Sequence, residues 1–169
     1  YGVRGIPHFV LISPEGKVVD SWSGYAKGWL KLKIKGSMAP KQPMRIEWKD
    51  GHKEVHHPRK KTEKMEVLTI RQVELTDSTT VLRVHARYIP NYWIRLDKAT
   101  FLMSDKGVNY PLLRSEGFAI DEQVFMPDSG EMDFTLYFAP LPKDTRWFDF
   151  SEGEHVEGGY YIEGIRLTE

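Results

Sequence analysis

The sequence predicts a mainly β protein built from antiparallel strands, and three observations carry that prediction. First, Leu82, Val84, Ala86 and Tyr88 fall on one face of a run whose other face holds Arg83, His85 and Arg87. That alternation is the period-2 signature of a strand with one wet face. A polar break at Thr76-Asp77-Ser78 separates this run from a β-rich stretch starting at Glu66, so the pair reads as a hairpin. Second, Met132, Phe134, Leu136 and Phe138 alternate with Asp133, Thr135 and Tyr137. Third, short apolar segments recur along residues 44–169 with turn residues between them. Such spacing argues for an antiparallel β-sandwich of immunoglobulin-like type. Its core is expected to contain Leu82, Val84, Ala86, Phe134, Leu136 and Phe138.

Taken in order, Phe9-Val10-Leu11-Ile12 is an apolar run of the kind found in strands buried on both faces. Pro14-Glu15-Gly16-Lys17 reads as a turn, and Lys17 to Trp22 as the return strand. Between residues 26 and 36, Leu30, Leu32 and Ile34 alternate with lysines, a strand pattern. Residues 37–43 carry Pro40 and Pro43 and no periodicity, as at a domain boundary. Met44 to Trp48 alternates, Asp50-Gly51 is a hairpin turn, and Lys53 to His56 returns. Further strands are expected at Trp93–Leu96, Thr100–Met103, Tyr110–Leu113, Trp147–Phe150 and Tyr160–Ile165. Loops are expected at Ser104–Gly107, Ser115–Gly117 and Met126–Gly130, and Pro140 ends the strand at Phe138 because proline cannot continue a ladder.

Composition narrows the function. Lys+Arg and Asp+Glu are both 24, so no net charge draws the chain to nucleic acid or to an anionic membrane. No apolar run approaches the length of a membrane span. The chain has no cysteine, which excludes disulfides, thiolate catalysis and cysteine-ligated zinc within these 169 residues. No phosphate-binding glycine loop, Gly-x-Ser-x-Gly or His-Glu-x-x-His is present. No catalytic residue and no cofactor is therefore assigned.

The opening YGVRGIPHFVLISPEGKVVDSWSGY resembles the C-terminal part of a thioredoxin-like domain of the TlpA/ResA type. The resemblance covers residues 1–36 and implies the last two strands and the terminal helix of that fold, with Trp29, Leu30 and Ile34 facing inward. It also implies that Gly5, Ile6 and Pro7 form the cis-proline loop against which a substrate peptide lies; a cis proline is a costly turn that chains adopt for a reason. His8 stands where the family usually has a small residue such as threonine. The family's Cys-x-x-Cys motif is missing from this sequence, so the chain as it stands is expected to be inactive. For a parent protein the resemblance implies thiol–disulfide exchange with protein thiols or disulfides, in the cell envelope or periplasm. The alternative is a non-enzymatic binding or scaffolding module of the envelope. Because one hairpin and one helix bury little surface by themselves, the first 36 residues are expected to be held by a second copy of the chain, giving a homodimer.

Three residue clusters are candidate sites. His52, His56 and His57 lie near Glu54, and in a strand His52 and His56 share a face. No fourth ligand is evident and lysines surround them, so they read as exposed histidines and no metal is assigned. Asp128, Glu131 and Asp133 fit no calcium loop and read as a solvated turn. Tyr88, Tyr92 and Trp93 around Pro90 form an aromatic group that plugs a strand end or holds a sugar or peptide.

Overall fold

The structure is a computed structural model, and it describes residues 7–61, 67–153 and 159–169. Thirteen strands and one helix are present among the described residues. Strands β1 (His8–Ile12) and β2 (Val18–Ser23) form an antiparallel hairpin of their own, followed by helix α1 (Trp29–Met38). The strand alternation of Leu30, Leu32 and Ile34 is thus overridden, and the helix implied by the resemblance is found.

Nine strands make one antiparallel sheet. Its strands are β3 (Arg45–Lys49), β4 (His52–His56), β5 (Leu68–Leu75), β6 (Thr80–Arg87), β8 (Phe101–Ser104), β9 (Asn109–Glu116), β11 (Glu131–Phe138), β12 (Trp147–Ser151) and β13 (Tyr161–Arg166). In space they run β13-β12-β8-β9-β11-β6-β5-β4-β3. The remaining strands, β7 (Trp93–Ile94) and β10 (Val124–Phe125), pair only with each other.

Local chemistry explains the hairpins. Asp50 and Gly51 have φ of 53° and 78°, so the two-residue loop between β3 and β4 has the positive dihedrals that match strand twist. In the β5–β6 turn, Thr76 Oγ1 accepts bonds from the amides of Ser78 and Thr79 at 3.2 and 3.0 Å, closing the polar break with its own side chain.

The sheet curls at β9. Asn109, Tyr110 and Pro111 pair with β8, whereas Leu112 and Arg114 to Glu116 pair with β11. Pro111 lies at the handover, a tolerable place for a residue with no amide donor. Phe138 on β11 and Phe150 on β12 consequently meet edge to face, 6.1 Å between centroids, although β9 and β8 lie between their strands in the sheet. Leu82, Val84, Ala86, Phe134, Leu136 and Phe138 are all buried in this core, as the alternation predicts. Residues 59–61 cover the free edge of β13, with the Arg166 amide donating to Arg59 O (2.7 Å) and the Lys61 amide to Glu163 O (3.0 Å).

Several expectations are corrected. Strand β1 is not buried on both faces: His8 to Leu11 are half-buried and Ile12 is exposed, because a two-stranded sheet has no second layer to cover it. Leu30 and Ile34 are exposed, while Leu32 is the buried residue of α1. Helix α1 reaches Met38, so Ser37 and Met38 belong to it and not to a linker. Ser115 and Glu116 continue β9, and the loop begins at Gly117, whose φ is +77°. The strand expected at Trp93–Leu96 is only two residues long.

Candidate functional site

The hairpin and helix at the start of the chain form one unit. Phe9 and Trp22 stack across the hairpin with centroids 5.3 Å apart. Lys33 Nζ pairs with Asp20 Oδ2 at 2.7 Å and lies over the rings of both Trp22 (5.3 Å) and Trp29 (4.9 Å). One lysine therefore ties helix to hairpin by charge and by cation–π contact. Gly5 and Ile6 lie outside the described residues, and with them the Ile6–Pro7 bond. Pro7 is exposed, and its carbonyl accepts the Gly24 amide at 2.7 Å, closing the open end of the hairpin. His8 bonds Ser23 Oγ through Nδ1 (2.8 Å), and its Nε2 is buried without a hydrogen-bond partner among the described residues.

This unit rests on the large sheet through its helix. Trp29 meets Tyr88 edge to face at 5.7 Å, and Leu32 sits against Gly130 and near Pro90. Beside that contact lies a charged cluster on the outer face of β6 and β11. Glu131 receives Lys35 of α1 at 2.7 Å, Arg87 at 2.8 Å and His85 Nε2 at 3.2 Å. His85 Nδ1 reaches Asp133 Oδ1 at 2.7 Å. The Lys35 hydrogen bond, aided by Arg87 and His85 against partial burial, holds the Glu131 carboxyl down at about 2. Two expectations change here. His85 is buried, although the alternation puts it on the wet face, and both its ring nitrogens are bonded, to Asp133 opposite it on β11 and to Glu131 two residues along. Glu131 and Asp133 are not in a turn: both lie on β11 and bond His85 across strands, Asp133 staying exposed, while Asp128 lies in the exposed turn ahead of them.

The aromatic group divides. Tyr88 is half-buried beneath α1 and serves as a plug. Tyr92 (55% exposed) and Trp93 (40%) face outward and are joined by Phe125 (62%), which stands opposite Trp93 in the β7–β10 pair. Phe125 leaves no signal in the sequence, because only strand register brings it beside Trp93.

Two clefts among the described residues bear on the site. One, of about 790 Å³, lies along β13 and is lined by Arg59, Lys61, Trp147, Asp149, Glu163 and Arg166. The Asp149 carboxylate in it is buried, but it accepts the Gly164 amide at 2.8 Å and the Tyr161 hydroxyl at 3.2 Å. It is satisfied by its own sheet and holds a bulge in place. The other, of about 500 Å³, lies on the outer sheet face between His57, Arg71, Arg83, Glu116 and Thr135. Burial first, then the charges of Arg71, His56 and Arg45, lowers the pKa of His57 below the ordinary imidazole value.

The three histidines do not act together. His52 and His56 share the outer face of β4 with Glu54, while His57 leaves the strand with φ of 51°. The partners of His56 are carboxylates: Glu54 at 3.3 Å and Glu47, from β3, at 3.6 Å. Glu47 was not visible as a partner from spacing, because only the β3–β4 register sets it opposite Glu54.

Fold and surface together define an antiparallel β protein with an appended ββα unit at its start. No family model, no curated protein and no solved structure matches the chain. Among the described residues, no helix is long and apolar enough to cross a membrane.

Proposed function

We propose that the chain is part of a thiol–disulfide oxidoreductase of the TlpA/ResA type, residues 1–36 being the end of its thioredoxin-like domain and residues 44–169 an immunoglobulin-like accessory sandwich. The observation that supports this reading is the ββα unit. An antiparallel hairpin begins just after Pro7 and a helix follows it, the order the resemblance implies, with Lys33 binding the two together. The exposed Ile12, Val18 and Val19 agree with a hairpin made to be covered by further strands. In the accessory part, the halves of the curled sheet on either side of β9 would be the two layers of the sandwich.

The chemistry would be disulfide exchange in the cell envelope with protein thiols or disulfides as substrates. A thiolate attacks one sulfur of a disulfide, a mixed disulfide forms, and a second thiol releases it. The cysteines would have to come from outside these residues, since the chain contains none. Gly5, Ile6 and Pro7 would line the substrate's path. Reading the gene ahead of the Tyr1 codon tests this: an encoded Cys-x-x-Cys in a βαβ context supports it, and an open reading frame without one removes it.

A second reading, a non-enzymatic binding module, is favoured by one specific observation, the outward-facing Tyr92, Trp93 and Phe125. Aromatic faces of this kind hold sugars or extended peptides. For the 169 residues alone, the unpaired edge of the β1–β2 hairpin also offers a second copy a place to add strands, the expected homodimer. Light scattering on the whole chain and on residues 44–169 distinguishes the cases: a dimer of the first with a monomer of the second supports pairing through the hairpin.

A further inference from the structure

From the outer face of β3, β4 and β5 we infer a divalent-cation site, formed by Glu47, Glu54 and His56 and suited to zinc. The starting point is the register. Glu47 stands directly opposite Glu54, and Glu54 directly opposite Glu74, so three carboxylates form a row across three strands. Like charges directly opposed across a sheet are unfavourable, so the row gains from a compensating positive charge.

The basic side chains around the row leave room for one. Arg45 Nε holds Glu47 Oε1 at 2.9 Å, which leaves Oε2 turned toward His56. His52 Nδ1 lies 3.4 Å from Glu74. Lys53 points to the opposite, buried face, with its amine 5.8 Å from the Trp48 ring, and Lys61 lies against β13. Of the lysines near the histidines in sequence, Lys53 and Lys61 thus lie away from the row, and Lys49 stands at its far end, opposite His52.

The His56 contacts are long for hydrogen bonds and match the spacing of ligands around one ion. His56 Nε2 lies 3.3 Å from Glu54 Oε2 and 3.6 Å from Glu47 Oε2, and the three groups' ligand atoms all fall within 4.8 Å of one another. Good hydrogen bonds from a ring nitrogen to oxygen cluster at about 2.9–3.0 Å. Ligands bound tetrahedrally to zinc at about 2.0–2.2 Å stand roughly 3.4 Å apart. One imidazole and two carboxylates suit zinc, and a fourth position left to water is the pattern of an open zinc site. The salt bridge from Arg45 would hold Glu47 in its ligating orientation, as outer partners of metal ligands do.

The test is calorimetric titration of the whole chain with zinc chloride, alongside Glu54→Gln, His56→Ala and His57→Ala. The expected result is one zinc per chain, with affinity at least tenfold weaker in Glu54→Gln and in His56→Ala and unchanged in His57→Ala. Equal affinity in wild type and His56→Ala, or an equal loss in His57→Ala, would overturn the assignment. Thermal unfolding checks the same site without relying on affinity. In EDTA, Glu54→Gln is expected to melt higher than wild type, because it removes the middle charge of the row. Saturating zinc is expected to raise the wild-type midpoint and leave that of Glu54→Gln unmoved. A lower midpoint for Glu54→Gln in EDTA would mean that the glutamate is already satisfied by His56, and the site would fall.

Discussion

Replacing Gly130 with alanine probes the contact that joins the ββα unit to the sheet. Gly130 has φ of +70°, and a left-handed conformation costs an L-residue about 1–2 kcal/mol. Its added Cβ would also stand 2.3 Å from Leu32 Cδ1, 2.6 Å from the Tyr88 carbonyl oxygen and 3.2 Å from Pro90 Cγ. The carbonyl cannot easily retreat, because the amide of the same residue, Tyr88, donates to Gly130 O at 2.9 Å and holds the two segments together. Leu32 has to leave instead, and exposing a buried leucine costs about 1.5–3 kcal/mol. Together these predict a loss of about 2.5–5 kcal/mol. Gly107 is the control: its φ is +75°, but nothing among the described residues lies within 4 Å of its Cβ position. Gly107→Ala should therefore cost only about 1–2 kcal/mol. Urea unfolding of the two variants makes the comparison, with limited proteolysis reporting whether α1 has come away. Equal losses in both variants, with α1 still protected, would refute the docking of Leu32 on Gly130.

Phe134→Ala should cost about 3–5 kcal/mol, since the ring is buried and packs 4.5 Å from Phe118; a loss below about 1 kcal/mol would mean that the inward face of β11 has been misassigned. Glu131 titrates at about 2 in the folded chain against an ordinary 4.5, so its contribution is complete above 4.5 and is lost as pH falls from there toward 2. Glu131→Gln should flatten the stability curve in that acid window, measured by unfolding at stepped pH, and parallel curves for the two proteins would remove the role given to its bonds with Lys35, Arg87 and His85. Replacing Phe125 with serine should change stability by less than about 0.5 kcal/mol, because the ring is exposed; a larger drop in the unfolding midpoint would make it part of the core and not of a binding surface.

What could be read from the sequence was decided locally. Asp50-Gly51 specifies its turn by dihedral preference alone, and the alternations at Leu82–Ala86 and Phe134–Phe138 specify which face is buried. What could not be read depends on residues far apart in the chain. Leu32 faces inward in place of Leu30 and Ile34 because Gly130, at the foot of β11, leaves a space for it. His85 is bonded to Glu131 and Asp133, which register alone sets beside it. The same holds for the row Glu47, Glu54 and Glu74, and for Phe125 beside Trp93: pairs made across strands leave no trace in spacing. The apolar run at Phe9–Ile12 was legible as a strand, but its burial was not, since burial depends on a second layer.

The proposed membership of a disulfide-exchanging protein is tested most directly by insulin reduction. The assay compares the product of the whole open reading frame with the cysteine-free chain of 169 residues, under dithiothreitol. The account predicts that the whole product precipitates insulin faster than dithiothreitol alone, that serine at its Cys-x-x-Cys cysteines abolishes the gain, and that the 169-residue chain gives none. Reduction by the 169-residue chain, or no gain from a whole product that carries the cysteine pair, would contradict it.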